Sequence, residues 1–260
     1  MVEPLRLAVL GDPIAHSRSP VIHMAAMRHL GIDGSYEARL AGSPELARAV
    51  AELREGSLQG ANITMPLKEE AAMACQTLTP EASAAGSVNT LRFRSGMVEG
   101  HSTDVMATRR AVADPRFDAG APILILGSGG AAGAALVGAG GRVTYLAARN
   151  RNRALALARR GGPVGILSLQ VPVVGAVVIN ATPLGMEGES LPGEVLEVAS
   201  GLIDLAYGDV PTPAVTWARE SGVPALDGVE FLVLQAAASF EWWTGIEAPY
   251  DVMLERARKL

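Results

Sequence analysis

Short apolar runs alternate with helix-like segments along most of this chain, and this alternation limits the possible folds more than any other feature. In the first hundred residues the strand-like runs are RLAVLG, SYEARL and GANIT, and the segments PVIHMAAMRHLG, PELARAVAELREG and PLKEEAAMAC that follow them are typical of helices. Residues 87 to 100 instead predict a hairpin that turns at Ser95 and Gly96. Such alternation predicts parallel strands joined by helical crossovers, in an open α/β layer.

A second alternating series begins near residue 104. The segment DVMATRRAVADPRF predicts a helix that ends at Asp114 and Pro115, and the runs ILILG, RVTYLAA, AVVIN and GLIDLAY then predict strands separated by helices. Residues 228–243 are apolar almost all round, which predicts a helix buried between elements or domains. We therefore predict an α/β protein of two domains, residues 1–104 with 236–260 and residues 105–235, with the C-terminal helix packed on the first.

Composition excludes several classes of function. With 260 residues, 49% of them hydrophobic, the chain is long enough to bury a core. A net charge of −5 and only 4% aromatic residues argue against nucleic acid as a partner. The single cysteine, Cys75, excludes an internal disulfide and is typical of a reducing compartment. No run approaches the roughly 18 apolar residues of a membrane span, and the N-terminus is unlike a signal peptide, so we expect a cytoplasmic protein.

The segment ILILGSGGAAGA, residues 123 to 134, places a glycine-rich turn between an apolar strand and a helix. Backbone N–H groups at a helix N-terminus bind a pyrophosphate, and glycine is needed where a Cβ would meet the phosphate. The segment therefore predicts a Rossmann-like, doubly wound domain for a dinucleotide. A simple tight turn, or another nucleotide such as a methyl donor, remains an alternative. The candidate cofactor residues here are Gly127, Gly129, Gly130 and Ala131.

The next strand-to-helix junction favours NADP over NAD. NAD-binding folds place an Asp or Glu about 20 residues beyond the glycines to hold the ribose hydroxyl, whereas this chain has Arg149, Asn150 and Arg153 in that region. Guanidinium groups bind phosphate oxygens in bidentate geometry, so the two arginines suit the 2′-phosphate of NADP. The alternative is a solvated, basic start to a helix.

Neutral polar residues follow the predicted strands of the first domain. Because ligands of open α/β sheets bind beyond the carboxyl ends of the strands, we expect these side chains to face one crevice. They are mainly neutral hydrogen-bonding groups, which suit a polyhydroxylated small molecule. The residues are Ser17, Ser19, Asn62, Thr64, Asn89 and Asp104.

Lys68 is the candidate for proton transfer. Pro66 is expected in the first turn of the next helix, and Lys68 in that same turn, where the helix dipole disfavours a cation and lowers the pKa of an amine. Asp104 is a candidate counter-charge, or equally an N-cap of the following helix. An ordinary surface lysine remains the alternative for Lys68. The four histidines have no metal-ligand spacing, so no metal site is predicted, although His16 is a weaker candidate proton donor.

Eight segments carry a resemblance along nearly the whole chain: in order, AHSRSP, GANITMPLKEEA, AGSVNTL, GHSTD, ILGSGGAAGA, AARNRNRA, VINATPLGM and DGVEFLVLQAAASFEWWTG. Together they resemble the motifs of the shikimate dehydrogenase family. The resemblance implies reversible, NADPH-dependent reduction of 3-dehydroshikimate to shikimate in aromatic amino acid biosynthesis. It implies that Lys68 and Asp104 form the catalytic pair and that Tyr207 and Gln235 join Ser17, Ser19, Asn62, Thr64 and Asn89 in holding the substrate. It also implies a cofactor set that adds Thr182, Leu205 and Gly228 to the glycine turn and the Arg149–Asn150–Arg153 clamp.

Several positions depart from the family pattern, among them Ser102, Gly133, Asn150, Leu205 and Phe231. Because Phe231 would reshape the floor of the pocket, a related dehydrogenase acting on quinate or aminoshikimate remains an alternative, although Ser19 favours shikimate. A non-catalytic dinucleotide sensor is the alternative from another class. The sequence leaves open whether the protein is a monomer or a homodimer.

Overall fold

The computed structural model describes residues 3–161 and 164–259. The chain divides into two compact units, one formed by residues up to 103 and from 233 onward, and one formed by residues 104–232. In the described part of the chain, each unit is built on a six-stranded sheet. No helix within the described ranges has the length and apolar character needed to cross a membrane.

The first unit contains a mixed sheet with the strand order β2-β1-β3-β5-β6-β4. Its strands are β1 (Leu5–Gly11), β2 (Gly34–Leu40), β3 (Gly60–Ile63), β4 (Thr77–Leu78), β5 (Thr90–Arg94) and β6 (Met97–His101). Its helices are α1 (Ser19–His29), α2 (Ser43–Glu55), α3 (Lys68–Ala74), α4 (Pro80–Ala85), α11 (Tyr250–Arg258) and the greater part of α10 (Gly228–Thr244). Helix α11 packs on α1, and the guanidinium of Arg18 donates to the Ala257 carbonyl at 3.0 Å.

The predicted hairpin is confirmed, and it makes the first sheet mixed rather than wholly parallel. Strand β1 pairs in parallel with β2 and β3, as the alternation predicts. Ser95 and Gly96 have positive φ angles of 53° and 82°, the turn geometry that reverses a chain between two adjacent strands. Strand β5 therefore pairs antiparallel with β6 and, on its other side, antiparallel with β3.

The second unit is doubly wound, as predicted. Its strands are β7 (Ile123–Leu126), β8 (Thr144–Ala147), β9 (Gly165–Leu167), β10 (Val177–Asn180), β11 (Gly201–Asp204) and β12 (Ala225–Leu226). Its helices are α5 (Thr103–Val112), which begins at the boundary, α6 (Gly130–Gly138), α7 (Arg151–Gly161), α8 (Gly193–Leu196), α9 (Pro213–Glu220) and the start of α10. The sheet order is β12-β11-β10-β7-β8-β9 with parallel pairs, so the strand order reverses between β7 and β10.

The inner strands β7 and β10 of this second sheet are apolar except for Asn180 at the end of β10. All four residues of Ile123–Leu126 are 0% exposed, and Val177–Asn180 is buried throughout. Strands covered by helices on both faces need apolar side chains at every position, which is why these segments do not alternate. The loops at the carboxyl ends of β7 and β10 therefore begin at fully buried strands, which hold their first residues in place.

Candidate functional site

The first-unit candidates cluster at one edge of its sheet. Ser17 and Ser19 follow β1, Thr64 follows β3, and the Asp12 N–H donates to the Met65 carbonyl at 2.9 Å, which joins the two strand exits. Asn89 does not follow a strand as predicted but precedes β5. Because β5 is antiparallel to β3, its beginning lies beside the end of β3, and the Ile63 N–H donates to the Asn89 carbonyl at 2.8 Å.

Lys68 is the first residue of α3, so its predicted place in a first helical turn is confirmed. Pro66 precedes the helix rather than lying in its first turn, because the helix has Leu67 at its N-cap. The Lys68 carbonyl accepts a hydrogen bond from the Val88 N–H at 2.9 Å, which fixes the start of α3 beside Asn89. Lys68 is half-buried at the same sheet edge as Thr64 and Asn89.

Asn62 lies in this region but its side chain is directed into the protein. It is 4% exposed, and its Oδ1 accepts from the Tyr36 hydroxyl at 2.7 Å. Its Nδ2 has three acceptors, the Asn89 carbonyl at 3.1 Å and the hydroxyls of Thr90 and Ser239 at 3.0 Å. An amide nitrogen has only two protons, so the hydrogen-bonding capacity of this group is used inside the unit.

Asn89 is held by the same set of groups. Its Oδ1 accepts from the Thr103 N–H at 2.8 Å, and its Nδ2 donates to Thr103 Oγ1 at 2.9 Å and to Gln235 Oε1 at 3.2 Å. Ser239 Oγ lies 3.0 Å from Thr90 Oγ1 and 3.1 Å from Thr103 Oγ1. We call Asn62, Asn89, Thr90, Thr103 and Ser239 the amide network. Sequence reasoning missed Thr90, Thr103 and Ser239. A serine one turn after Gln235 in an otherwise apolar helix could have indicated Ser239.

Asp104 belongs to the second unit and is 5% exposed. It lies in the first turn of α5, which already begins at Thr103, so it is not the N-cap that was one alternative. Its carbonyl accepts from the Thr108 hydroxyl at 2.9 Å. The side chain therefore belongs to a buried first turn.

The glycine turn between β7 and α6 has the geometry that a phosphate requires. Gly127 has a φ of 128°, and a Cβ there would lie 2.8 Å from the Ala181 carbonyl oxygen, so only glycine fits. A Cβ on Gly129, the N-cap of α6, would meet no atom within 4 Å. Gly130 and Ala131 open the helix and are half-buried. Open space in front of a helix N-terminus fits the pyrophosphate of a dinucleotide.

The arginine clamp lies at the start of α7. Asn150 Oδ1 accepts from the Arg153 N–H at 3.1 Å, so Asn150 caps the helix. Arg149 and Arg153 are exposed, and the first turn of α7 carries no acidic residue. A helix start whose nearby charges are arginines fits an additional phosphate. These residues therefore fit NADP rather than NAD.

The remaining cofactor candidates, Thr182, Leu205 and Gly228, and the substrate candidate Tyr207 follow β10, β11 and β12, on the other side of the point where the strand order reverses. Thr182 follows β10, and Leu205 and Tyr207 follow β11. The Leu205 N–H donates to the Asn180 carbonyl at 3.0 Å. A Cβ on Gly228, the first residue of α10, would overlap the Ala206 carbonyl and lie 3.0 Å from Tyr207 Cβ. The glycine therefore allows α10 to begin against this loop.

Among the described residues, the two ionisable side chains with 0% exposure, Asp204 and His23, were not among the candidates. Asp204 ends β11, is 0% exposed and accepts hydrogen bonds from Asn180, Ala206 and Thr212. His23 is also 0% exposed, and its ring is stacked on Tyr36 with centroids 4.4 Å apart. Within the described ranges, no group of three or more His, Cys, Asp or Glu side chains is arranged to hold a metal ion.

Residues 9–91 match the model of the family described as shikimate dehydrogenase substrate binding domain, and residues 228–258 match that of the shikimate 5′-dehydrogenase C-terminal domain. The chain is 38% identical to a shikimate dehydrogenase (NADP(+)) of Anaeromyxobacter sp. (strain Fw109-5), over 94% of this chain and 92% of that protein. It is 36% identical to a protein of the same name from Thermus thermophilus, over 98% of each.

Solved structures agree. The crystal structure of a shikimate 5-dehydrogenase from Thermus thermophilus in complex with NADP(H) and shikimate matches the chain with a TM-score of 0.89 at 33% identity, over 98% of this chain and 99% of that one.

Proposed function

The chain belongs to the shikimate dehydrogenase family, and on this basis we propose that it catalyses the reversible, NADPH-dependent reduction of 3-dehydroshikimate to shikimate. The observation that carries the proposal is the pairing of two features. One unit has a glycine turn followed by an arginine clamp, and the other has a lysine among hydroxyl and amide groups at a sheet edge. A dehydrogenase of a hydroxylated acid needs both.

We assign Lys68 and Asp104 to proton transfer. NADPH, when bound, supplies the hydride that reduces the carbonyl carbon. The ammonium of Lys68 holds the proton that the carbonyl oxygen takes up as it becomes a hydroxyl, and in the reverse direction Lys68 accepts that proton. Asp104 carries the charge that balances the ammonium during this exchange.

The substrate is proposed to bind through neutral hydrogen bonds. Ser17 and Ser19 hold its carboxylate, and Thr64, Asn89, Tyr207 and Gln235 hold its hydroxyls. Asn89 is oriented before binding by partners on both its oxygen and its nitrogen, and its Nδ2 donates to a substrate hydroxyl by giving up the 3.2 Å bond to Gln235 Oε1. Groups held in one orientation lose little entropy when the substrate arrives. Asn62, which the family pattern places in this set, is proposed to support Asn89 from inside the unit.

A net charge of −5 and the single cysteine support a cytoplasmic enzyme of small molecules that does not act on nucleic acid. We propose that it works as a monomer or a homodimer, two states that light scattering distinguishes by mass.

The test is the loss of reduced-nicotinamide absorbance when 3-dehydroshikimate is added to the protein and NADPH. The same assay with NADH, and with the oxidised forms of quinate and aminoshikimate, tests cofactor and substrate choice. We expect turnover with 3-dehydroshikimate and NADPH to exceed the others. NADPH binding without turnover on any of these substrates would instead identify a dinucleotide sensor.

Lys68→Ala provides the matched test of the site. The sequence contains only one other lysine, Lys259, which is exposed and paired with Glu255. Lys68→Ala should lower kcat by a factor of about 10² or more, the usual size of a lost general acid, while KM for the substrate changes little. Lys259→Ala should leave both unchanged. Near-normal turnover of Lys68→Ala would remove this residue from the mechanism.

A further inference from the structure

We propose that Asp204 is a positioning residue that sets the orientation of the two loops presenting Thr182, Leu205 and Tyr207. The proposal deepens the proposed function, since it rests on the assignment of these loops to NADP(H) and substrate. The groups that carry it all lie in the second unit.

Asp204 and Asn180 face each other at the carboxyl ends of two neighbouring strands. They are paired residues in the parallel register of β10 and β11, and Asn180 Nδ2 donates to Asp204 Oδ1 at 2.8 Å. Both side chains are 0% exposed. Burial raises the pKa of Asp204, whereas the three donors around it favour the charged form. As a carboxylate, Asp204 accepts from all three donors and cannot donate.

This acceptor-only character sets the direction of the hydrogen bonds that follow. Because the Asn180 amide must turn its nitrogen toward Asp204, its Oδ1 faces Thr182. That oxygen accepts from the Thr182 N–H at 3.1 Å and from the Thr182 hydroxyl at 2.6 Å. The second Nδ2 proton goes to the Leu184 carbonyl at 3.0 Å, and the Leu184 N–H donates to Thr182 Oγ1 at 3.2 Å. The loop after β10 is thus fixed by the carboxylate through Asn180.

The same carboxylate fixes the loop after β11. Its Oδ1 accepts from the Ala206 N–H at 3.0 Å, and Ala206 lies between Leu205 and Tyr207. Its Oδ2 accepts from the Thr212 hydroxyl at 2.6 Å, and Thr212 Oγ1 in turn caps α9 by accepting from the Val215 N–H at 3.2 Å. One carboxylate therefore connects the β10 loop, the β11 loop and the start of α9.

Removing the charge of Asp204 should loosen these two loops while the rest of the cofactor site keeps its geometry. In Asp204→Asn the side chain keeps its size, but position 204 gains donor protons, so the Asn180 amide is no longer held in one orientation. Thr182, Leu205 and Tyr207 then lose their fixed positions. The glycine turn after β7 and the arginine clamp after β8 make none of these hydrogen bonds and keep their geometry.

The experiment compares two ligands on the intact protein by isothermal titration calorimetry. One is NADP+, and the other is 2′,5′-ADP, which has the adenosine and the 2′-phosphate but no nicotinamide. For Asp204→Asn we expect the Kd of NADP+ to rise about tenfold and the Kd of 2′,5′-ADP to stay within twofold of the wild type. Equal weakening of both ligands, or no change in either, would overturn the positioning role.

Thr212 provides a second pair of variants in case Asp204→Asn does not fold. Thr212→Val removes one donor to the carboxylate and the side-chain cap of α9 at constant shape, and Thr212→Ser retains both. We expect Thr212→Val to weaken NADP+ selectively and Thr212→Ser to restore wild-type binding. Equal behaviour of the two would contradict the proposal.

Two controls separate this inference from the proposed function. Thr144→Val removes another buried threonine hydroxyl bond, to the Arg142 carbonyl, at the opposite end of a strand of the same sheet. It should leave both Kd values unchanged, and selective NADP+ weakening there would also overturn the inference. A wild-type protein that binds neither ligand would refute the proposed function, whereas wild-type affinity for NADP+ in Asp204→Asn would refute only the role of Asp204.

Discussion

His23 is a buried titratable residue at the centre of an aromatic cluster in the first unit. Its ring lies 4.4 Å from Tyr36 and 5.5 Å from Trp243, measured between centroids. Neither ring nitrogen has a hydrogen-bond partner among the described residues. Burial lowers the pKa of His23 to about 3. The neutral ring acts as an aromatic spacer behind Tyr36, whose hydroxyl holds Asn62.

This burial predicts an acid-sensitive stability. Between pH 6.5 and about 3 the unfolded chain binds a proton at His23 that the folded chain does not. The free energy of unfolding therefore falls as pH decreases through this range, by about 1.4 kcal/mol per pH unit from this residue. His23→Phe removes that contribution, so from pH 7 to pH 5 the variant should lose about 2 kcal/mol less than the wild type.

Urea unfolding at the two pH values measures the difference. His29→Phe, which changes an exposed histidine of the same helix, is the control and should retain the wild-type pH dependence. Equal pH dependence of His23→Phe and the wild type would show that the folded protein admits a proton at position 23.

At the scale of elements, helix α10 links the amide network to Gln235. Ser239 Oγ donates to the Gln235 carbonyl at 3.0 Å and lies beside the hydroxyls of Thr90 and Thr103. Without it, Asn62 Nδ2 still has two acceptors for its two protons. Ser239→Ala should therefore fold and yet loosen Asn89 and Gln235.

We expect Ser239→Ala to raise KM for shikimate about fivefold, the effect of losing about 1 kcal/mol, with kcat and KM for NADP+ nearly unchanged. Thr244→Ala is the matched control, because Thr244 makes the same type of hydrogen bond, to the Phe240 carbonyl at 2.8 Å, one turn further along α10. It should leave KM for shikimate unchanged. Steady-state kinetics in the shikimate-oxidising direction separate the two variants, and equal KM values would contradict a role for the network in substrate binding.

The two glycines of the turn between β7 and α6 differ in the space around them, so alanine should have different effects at each. Gly127→Ala should lower the melting temperature, because alanine strains a φ of 128° and its Cβ would lie 2.8 Å from the Ala181 oxygen. Gly129→Ala should lower the melting temperature less, since its Cβ meets no atom within 4 Å and only the poorer N-cap preference of alanine acts against it. It should nevertheless raise the Kd of NADPH at least tenfold, because the methyl group occupies the space proposed for a phosphate. Wild-type affinity for NADPH in Gly129→Ala would move the phosphate away from this turn.

At the scale of the whole molecule, the sequence predicts most of the architecture and less of the site. Buried parallel strands are apolar at nearly every position, so ILILG and AVVIN predict the central strands β7 and β10 of the second sheet. The short strands β9 and β12 were not predicted. The direction of β5 follows from how the hairpin pairs with β3, which no local pattern determines. Asn62 ends an apolar strand and is therefore predicted to face a ligand, but its partners Tyr36 and Ser239 are distant in sequence. Asp204 was missed because its partner Asn180 comes beside it only through the pairing of β10 with β11.

The first unit is formed by the N-terminal and C-terminal parts of the chain, so its stability should depend on helix α11. Helix α11 packs on α1, and Met253 of α11 is 0% exposed. Met253→Ala should lower the free energy of unfolding by about 2–5 kcal/mol, because it removes buried methylene groups and leaves a cavity. Met73→Ala, at a methionine of the same unit that is 79% exposed, should change it by less than about 0.5 kcal/mol. Urea unfolding followed by circular dichroism measures both.

Binding of 2′,5′-ADP, assigned to the second unit, should be the same in both variants without denaturant. Equal stability losses in the two variants would show that α11 does not contribute to the folded core of the first unit.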